Sequence, residues 1–239
     1  MKIVAVTPTY NEAENLPELL RRLFALPLDT LHVLVVDDNS PDGTGRLAEQ
    51  MTKEKPYAQR LEVIHRTGKL GLGTAYIHGF RHALATGADF IIQMDADLSH
   101  PPEYIPTFLN YMDQYDVVVG SRYIKGGSVD QAWGIGRKLT SSGGNLYARW
   151  ITGLKIKDAT SGFRCFRRQV LESIDLGNIH SRGFIFQVEM AYACERRGFR
   201  ILETPIHFPA RTRGKPKLSG RILLEALFQV WRIRFQSQR

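Results

Sequence analysis

Short apolar runs alternate with amphipathic stretches over the first half of the chain. The apolar runs predict strands at Ile3–Thr7, His32–Asp37, Leu61–His65, Asp89–Met94 and Tyr115–Gly120. Leucines that recur every three or four residues predict a helix over Glu14–Phe24, and a second helix is predicted over Thr74–Thr86. Continuous apolar strands joined by helices are typical of a parallel sheet covered on both faces. The pattern therefore predicts an α/β fold with a mostly parallel central sheet flanked by helices.

The second half of the chain has a less regular pattern. It predicts helices over Arg137–Trp150 and Phe184–Arg197, and a strand over Gly198–Glu203. A basic loop over Thr212–Ser219 leads into a last helix over Gly220–Gln236. Apolar residues cover all but a narrow stripe of that helix, so we expect it to be covered by the domain, a partner or a membrane interface.

Composition indicates one globular domain with a basic C-terminal end. The 239 residues are 43% hydrophobic and 23% charged, which are values of globular proteins. We assign residues 1–210 to one domain and expect residues 211–239 to belong to it or to pack on it. Residues 211–239 hold eight basic residues against one acidic residue, which is nearly the whole net charge of +8. Such an end can meet a nucleic acid, an anionic membrane or a phosphorylated substrate.

The cysteines predict a reducing compartment, and the lengths of the apolar runs predict no membrane-spanning segment. Cys165 and Cys194 lie far apart and lack metal-ligand spacing, so we expect core thiols in a reducing compartment. A disulfide between them has no support in the sequence. No uncharged run reaches the roughly 18 residues that a membrane span needs.

Two carboxylates, Asp95 and Asp97, follow the predicted strand Asp89–Met94. Paired acids at the end of a buried strand are costly unless a cation meets them, and residues i and i+2 share a face while the chain is extended. The pair can present two oxygens to one divalent cation such as Mg or Mn, which suits transfer from a phosphate-containing donor. An acidic turn that caps the next helix is the alternative for this pattern taken alone.

Polar segments also follow the first two predicted strands. Pro8–Glu12 follows the first of them, and Asp37–Asp38 ends the second. Turn chemistry and helix capping would explain either segment alone. Because ligands of open α/β sheets bind outside the carboxyl ends of the strands, we expect these two segments and Asp95–Asp97 to line one crevice.

Further motifs occur around these segments in a fixed order. They are Thr7–Glu12, Val36–Thr44, Leu72–Gly79, Met94–His100, Gly120–Tyr123, Asp158–Arg164 and Gly183–Met190. With them the chain resembles, over nearly its whole length, the inverting family 2 glycosyltransferases of the GT-A fold, and among these the dolichol-phosphate (polyprenol-phosphate) mannosyltransferases. The resemblance implies a single GT-A domain that transfers mannose from GDP-mannose to a polyprenyl (dolichyl) phosphate with inversion, giving polyprenyl β-mannosyl phosphate.

The resemblance also implies roles for individual residues. A Mg or Mn ion would be bound by Asp95 and Asp97, with Ser99 at the position where many relatives carry a glutamine. Asp97, Arg122 and Arg137 would act in catalysis, the arginines beside the diphosphate and the acceptor phosphate, which guanidinium groups bind in a bidentate way. GDP-mannose would be held by Pro8, Tyr10, Glu12, Val36, Asp38, Asp95, Ala96, Asp97, Arg122, Arg211 and Lys217.

The implied acceptor needs no general base and lies at a membrane. A phosphate monoester has a second pKa of about 6, so the attacking oxygen arrives ionised. Trp231, Arg232 and Arg234 on the last helix favour contact with a membrane interface, with packing on the domain or a partner as the alternative. We therefore expect a peripheral protein on the cytoplasmic face of a membrane, for which a small membrane subunit is a further candidate partner.

Two other functions stay open at this point. A related transferase could use UDP-glucose or another nucleotide sugar on a polyprenyl phosphate or a glycan. The basic end could also mark a nucleic-acid-binding module. That module would need the aromatic platform of single-strand binders, which the sequence lacks, and the rest of the chain is nearly neutral. We therefore expect no nucleic-acid partner.

Overall fold

The computed structural model describes residues 1–181, 183–210 and 220–236, and in the last helix it describes the side chains of residues 227–235. Within these residues, seven strands form one sheet: β1 (Ile3–Thr9), β2 (Leu31–Asp37), β3 (Leu61–His65), β4 (Phe90–Gln93), β5 (Val117–Ser121), β7 (Arg164–Arg167) and β8 (Ile201–Pro205). Their order across the sheet is β3-β2-β1-β4-β7-β5-β8. Two short strands, β6 (Ser128–Val129) and β9 (His207–Phe208), pair in parallel beside it.

Helices cover both faces of the sheet. They are α1 (Leu16–Phe24), α2 (Thr44–Met51), α3 (Leu72–Ala85), α4 (Ile105–Tyr111), α5 (Ile135–Thr152), α6 (Arg168–Ser173), α7 (Ile185–Arg196) and α8 (Gly220–Gln236). One core lies between the sheet and α1, α2 and α4, and a second lies between the sheet and α3, α6 and α7. The predicted α/β class, with a mostly parallel sheet flanked by helices, is confirmed.

Strand β7 is the departure from a parallel sheet. It runs antiparallel to both β4 and β5, whereas the other pairings of the large sheet are parallel. The sequence pattern does not predict this strand, because its four residues, Arg-Cys-Phe-Arg, are too few and too polar to form an apolar run. The sequence predicts the last strand of the sheet at Gly198–Glu203, whereas the strand lies at Ile201–Pro205.

Helix α8 packs on the domain with one of its faces. Val230 and Ile233 are buried in a cluster with residues of α5 and α7. The Tyr147 hydroxyl donates to the Leu227 carbonyl at 3.1 Å, and Arg234 donates to the Thr152 carbonyl at 3.2 Å. Among the described helices, none has both the length and the apolar character needed to span a membrane. The domain boundary after residue 210 stays a prediction.

Both cysteines are buried free thiols, as expected. Burial raises the pKa of the Cys194 thiol to about 12 and also raises the pKa of Cys165. Because the thiolate is the reactive form, we expect a maleimide at pH 8 to label neither cysteine in the native protein and both after denaturation. Mass spectrometry of the labelled protein checks this, and rapid labelling of the native protein would contradict it.

Candidate active site

The sheet brings the predicted segments to one edge. Strands β2, β1 and β4 are neighbours and run parallel, so the segments that follow them emerge together. The Thr9 hydroxyl donates to Asp37 Oδ1 at 2.8 Å, and the Asp38 N–H donates to the Thr9 carbonyl at 3.0 Å. Asp37 also accepts the Ser40 N–H at 3.0 Å. Asp37 therefore joins the ends of β1 and β2, and Asp95–Asp97 follows β4 on the other side of β1.

Asp38 is held in a buried ion pair that sequence analysis missed. Its Oδ1 accepts from Arg66 at 2.6 Å and its Oδ2 accepts from the Gly71 N–H at 2.9 Å. Both side chains are only 6% exposed. Arg66 also donates to the Thr74 hydroxyl at 2.8 Å, so Asp38 links the loop after β3 to the start of α3. A nucleoside that contacts Asp38 would therefore meet a carboxylate that is already paired with Arg66.

Tyr10 lies beside the same loop. The Lys69 ammonium is 4.1 Å from the centre of the Tyr10 ring, which is the geometry of a cation–π contact. Glu12 accepts from the Asn15 side chain at 2.8 Å. Tyr10 and Lys69 together place an aromatic ring and a positive charge just after the end of β1.

Pro8 and Val36 lie deeper, as paired residues of β1 and β2. Val36 is fully buried, and its side chain packs in the core shared with α3. A nucleoside contact from Val36 would therefore be made by its backbone. The predicted binding roles of Pro8, Tyr10, Glu12 and Val36 stay predictions.

The turn after Asp97 orients that carboxylate. Leu98 has a φ of +63°, in the left-handed region, and this reverses the chain so that Ser99 faces Asp97. The Ser99 N–H and hydroxyl both donate to Asp97 Oδ1, at 3.1 and 2.5 Å. Ser99 is fully buried and Ala96 is 3% exposed. Ser99 therefore orients the Asp97 carboxylate. The predicted role of Ser99 as a metal ligand stays a prediction.

Asp95 is held by two residues outside the predicted site. The Tyr76 hydroxyl donates to Asp95 Oδ1 at 2.7 Å, and the Asp95 N–H donates to His100 Nδ1 at 2.9 Å. Burial and then the charge of Asp95 raise the pKa of Tyr76 well above its ordinary value, so the phenol stays protonated. The motifs Leu72–Gly79 and Met94–His100 contain both residues, which was the available signal.

The two carboxylates fit a hard divalent cation. Among the described residues, no group of three or more His, Cys, Asp or Glu side chains could hold a metal ion. Asp95 and Asp97 can each supply carboxylate oxygen, the donor that Mg and Mn prefer. A cation bound there would take its remaining ligands from water and from the diphosphate of the donor, as Mg does when it keeps several waters.

Arg122 is anchored by Asp158. Arg122 Nε and Nη2 donate to Asp158 at 2.8 and 2.7 Å, and Nη2 also reaches the Thr160 hydroxyl at 2.8 Å. The side chains of Arg122 and Asp158 are 8% and 0% exposed. The guanidinium is therefore fixed by a bidentate pair, and its predicted contact with the diphosphate stays a prediction.

Loss of this pair is expected to destabilise the protein. Asp158→Ala leaves the Arg122 charge buried without its partner, which costs about 3–5 kcal/mol, or roughly 10 °C in Tm for a domain of this size. Glu172→Ala is the control, since the Arg168–Glu172 pair is 38% and 47% exposed and is worth at most about 1 kcal/mol. Equal Tm values of the two variants, measured by differential scanning calorimetry, would contradict this expectation.

Aromatic side chains connect the two predicted arginines. The Arg137 guanidinium lies 3.8 Å from the centre of the Trp133 ring, and that of Arg122 lies 5.1 Å from the centre of the Phe208 ring. The Trp133 and Phe208 rings meet edge to face at 5.6 Å, and Phe208 meets His100 in the same way at 5.6 Å. Arg137, Arg122 and the segment after β4 therefore border one aromatic cluster, whose Trp133 and Phe208 sequence analysis missed.

Comparison with known proteins identifies the family. Residues 4–175, more than half of the chain, match the family model described as Glycosyl transferase family 2. The chain belongs to this family. The protein is thus an enzyme, a glycosyltransferase, and the predicted class is confirmed. Two predicted donor-binding residues of this transferase, Arg211 and Lys217, lie outside the described residues.

Curated relatives match the transferase over almost its whole length. An undecaprenyl-phosphate mannosyltransferase of Micrococcus luteus is 46% identical over 97% of this chain and 93% of its own. A polyprenol monophosphomannose synthase of Mycolicibacterium smegmatis is 43% identical over 98% and 88%. A dolichol-phosphate mannosyltransferase of Pyrococcus furiosus is 38% identical, and this chain spans 64% of its length. The predicted resemblance to the polyprenol-phosphate mannosyltransferases is confirmed.

Solved structures share the fold of the transferase. The mannosyltransferase PcManGT of Pyrobaculum calidifontis, in complex with GDP-Man and Mn²⁺, has a TM-score of 0.66 at 19% identity, over 99% of this chain and 64% of that chain. A glucosyl-3-phosphoglycerate synthase of Mycobacterium tuberculosis, in complex with Mn²⁺, UDP and glucosyl-3-phosphoglycerate, has a TM-score of 0.67 at 20% identity, over 98% of this chain and 79% of that chain. The predicted GT-A fold is confirmed.

Proposed function

We propose that this transferase moves mannose from GDP-mannose to a polyprenyl (dolichyl) phosphate with inversion, giving polyprenyl β-mannosyl phosphate. One observation carries the proposal. The crevice that holds Asp95 and Asp97 occurs in a chain that is 46% identical to an undecaprenyl-phosphate mannosyltransferase over 97% of its length. We propose GDP-mannose as the donor. The curated relatives named for mannosyl transfer support the mannose, and PcManGT is an example of the same fold with GDP-Man and Mn²⁺.

Asp95 and Asp97 hold a Mg or Mn ion in this proposal. Such an ion, when bound, supplies Lewis-acid neutralisation of the diphosphate. The chain's own part is to place both carboxylates at the end of β4, with Tyr76 and Ser99 each fixing one of them. The Mn²⁺ in solved complexes of the same fold supports a divalent cation.

In this mechanism Arg137 and Arg122 orient and neutralise phosphate groups, and no residue has to act as a general base. The lipid phosphate is ionised near neutral pH because its second pKa is about 6. Its oxygen forms the new bond to the anomeric carbon as the bond to the leaving diphosphate breaks, and this single displacement inverts the sugar. Arg137, exposed at the start of α5, orients the acceptor phosphate, and Arg122, fixed by Asp158, faces the departing charge.

An apolar surface formed by α5 and α8 supports a lipid acceptor. We call it the apolar face, and its exposed side chains are Ile135, Leu139, Leu146, Trp150, Phe228, Trp231 and Phe235. The α5 members follow each other at intervals of four, seven and four residues, which is one stripe of a helix. The sequence predicts membrane contact through α8 alone, and our proposal adds α5 because its apolar side chains are exposed.

The charges beside the apolar face match an anionic membrane. Helix α5 contains Arg137, Lys138 and Arg149 and no acidic residue, and α8 carries Arg232 and Arg234 near its end. Basic amphipathic helices with aromatic residues bind at such interfaces. In our proposal the transferase is peripheral on the cytoplasmic face of a membrane, where the lipid phosphate reaches Arg137. Coverage of the face by a small membrane subunit is the other outcome of a binding test.

Competition between donors tests the proposed reaction. Purified transferase is given GDP-mannose and UDP-glucose at equal concentration, each with a different radiolabel, together with undecaprenyl phosphate in detergent and Mn²⁺. We expect the mannose label to enter the lipid product and the product to have the β configuration by NMR. Predominant transfer of glucose would favour the alternative donor, and an α product would overturn inversion.

A further inference from the structure

Tyr76 reaches the predicted donor site from inside the core. It lies on α3, is 0% exposed, and its hydroxyl donates to Asp95 Oδ1 at 2.7 Å. Its ring stacks on Phe186 of α7, with centroids 5.8 Å apart and planes 4° apart, and on Phe80 at 5.7 Å and 28°. The ring is thus clamped between two helices while its polar end points at the crevice.

The clamp is tight because α3 and α7 approach closely. A Cβ added at Gly73, one turn before Tyr76, would lie 3.0 Å from the Phe186 ring and 2.9 Å from the Ser181 carbonyl. Interiors packed this closely hold side chains in one rotamer. The Tyr76 oxygen therefore stays at one place beside the end of β4, where it can bond one carboxylate oxygen.

That bond distinguishes the two oxygens of Asp95. Within the described part of the chain, the hydrogen bonds to the Asp95 side chain reach Oδ1 and leave Oδ2 to other ligands. The Asp95 N–H is fixed separately by His100 Nδ1 at 2.9 Å. Both the backbone and one carboxylate oxygen of Asp95 are therefore held by hydrogen bonds, the oxygen by Tyr76 and the backbone by His100.

We propose that Tyr76 is a positioning residue that turns Asp95 so that Oδ2 alone faces the metal and the donor diphosphate. The inference rests on the proposed function in that Asp95 must meet the donor. Removing a residue that hydrogen-bonds to a metal ligand, without itself binding the metal, commonly lowers metal affinity about 10- to 100-fold. A Tyr76 that only filled the core would have no such effect once its ring was kept.

Tyr76→Phe separates these two roles, because it keeps both ring contacts and removes the hydroxyl. Binding of Mn²⁺ in the presence of saturating GDP is measured by calorimetry, and Tm is measured without ligand. We expect Tyr76→Phe to bind Mn²⁺ about tenfold or more weakly with a Tm close to wild type. Tyr147→Phe, which loses the bond to the Leu227 carbonyl, is the matched control with unchanged Mn²⁺ affinity.

The outcomes separate the inference from the proposed function. Mn²⁺ affinity equal to wild type in Tyr76→Phe overturns the inference and leaves the proposed function intact. The inference is also overturned if Asp95→Asn and Tyr76→Phe weaken Mn²⁺ binding additively in a double-mutant cycle, because the two side chains then act independently. A large fall in Tm for Tyr76→Phe with unchanged Mn²⁺ affinity also overturns it, because the hydroxyl then serves stability alone. Absence of Mn²⁺ binding by the wild-type protein with GDP overturns the metal site of the proposed function itself.

Discussion

Replacing Asp97 by alanine is expected to lower mannosyl transfer by more than about a hundredfold. Asp97 follows β4 and is 6% exposed, with Oδ1 fixed by the Ser99 N–H and hydroxyl. In the proposed mechanism, its removal takes a negatively charged oxygen from the site that would hold the divalent cation and, with it, the diphosphate. Losing one preorganised electrostatic group at a reacting centre typically costs about 10²–10³ in rate. The measurement is the initial rate of label transfer into lipid at saturating donor.

Asp113→Ala is the matched control for this prediction. Asp113 is exposed on the turn after α4, so its loss should leave both the rate and Tm close to wild type. Chelation adds an independent arm, since EDTA should stop the wild-type reaction and added Mn²⁺ should restore it. Full activity of Asp97→Ala, or a wild-type rate that EDTA does not change, would contradict the metal role.

The double variant Trp150→Glu with Phe228→Glu is expected to lose binding to anionic vesicles by about a hundredfold or more. These two side chains are 78% and 77% exposed, so their replacement leaves the core intact. Each aromatic side chain kept out of the interface forfeits about 1.5–3 kcal/mol. Arg234 is a poorer site for such a test, because it donates to the Thr152 carbonyl at 3.2 Å and helps hold α8 on α5.

Tyr111→Glu controls for the general effect of a new charge. Tyr111 ends α4, outside the apolar face, and is 40% exposed. Co-sedimentation with vesicles containing an anionic lipid measures binding of all three proteins. Equal sedimentation of the double variant and Tyr111→Glu would contradict membrane contact through the apolar face. Absence of wild-type binding would also contradict it, and would leave coverage by another protein as the alternative.

The crevice could be predicted from the sequence because the strands that end at it are visible as local apolar runs. Buried parallel strands are apolar runs, so the ends of β1, β2 and β4 were visible in the sequence. The rule that ligands bind at carboxyl strand ends then joined Asp38 to Asp95 and Asp97 before any contact was known. The adjacency of β2, β1 and β4 agrees with that inference.

The residues that hold the crevice together could not be found in this way. Tyr76 and Asp95 are 19 residues apart, and Arg66 and Asp38 are 28 apart, so their contacts depend on how helices dock on the sheet. Strand β7 is specified by its position between two other strands, since its four residues form no apolar run. The exposed stripe of α5 has the spacing of a core face, and only the packed structure shows that it faces outward.

Transfer of labelled mannose to lipid tests the central claim most directly. Radiolabelled GDP-mannose is incubated with the purified protein, Mg²⁺ or Mn²⁺, and either undecaprenyl phosphate or undecaprenol. We expect label in the organic phase with the phosphate alone, dependent on the metal, and released as mannose by mild acid. No lipid-bound label with undecaprenyl phosphate, or equal label with the alcohol, would contradict the proposed transfer to a polyprenyl phosphate.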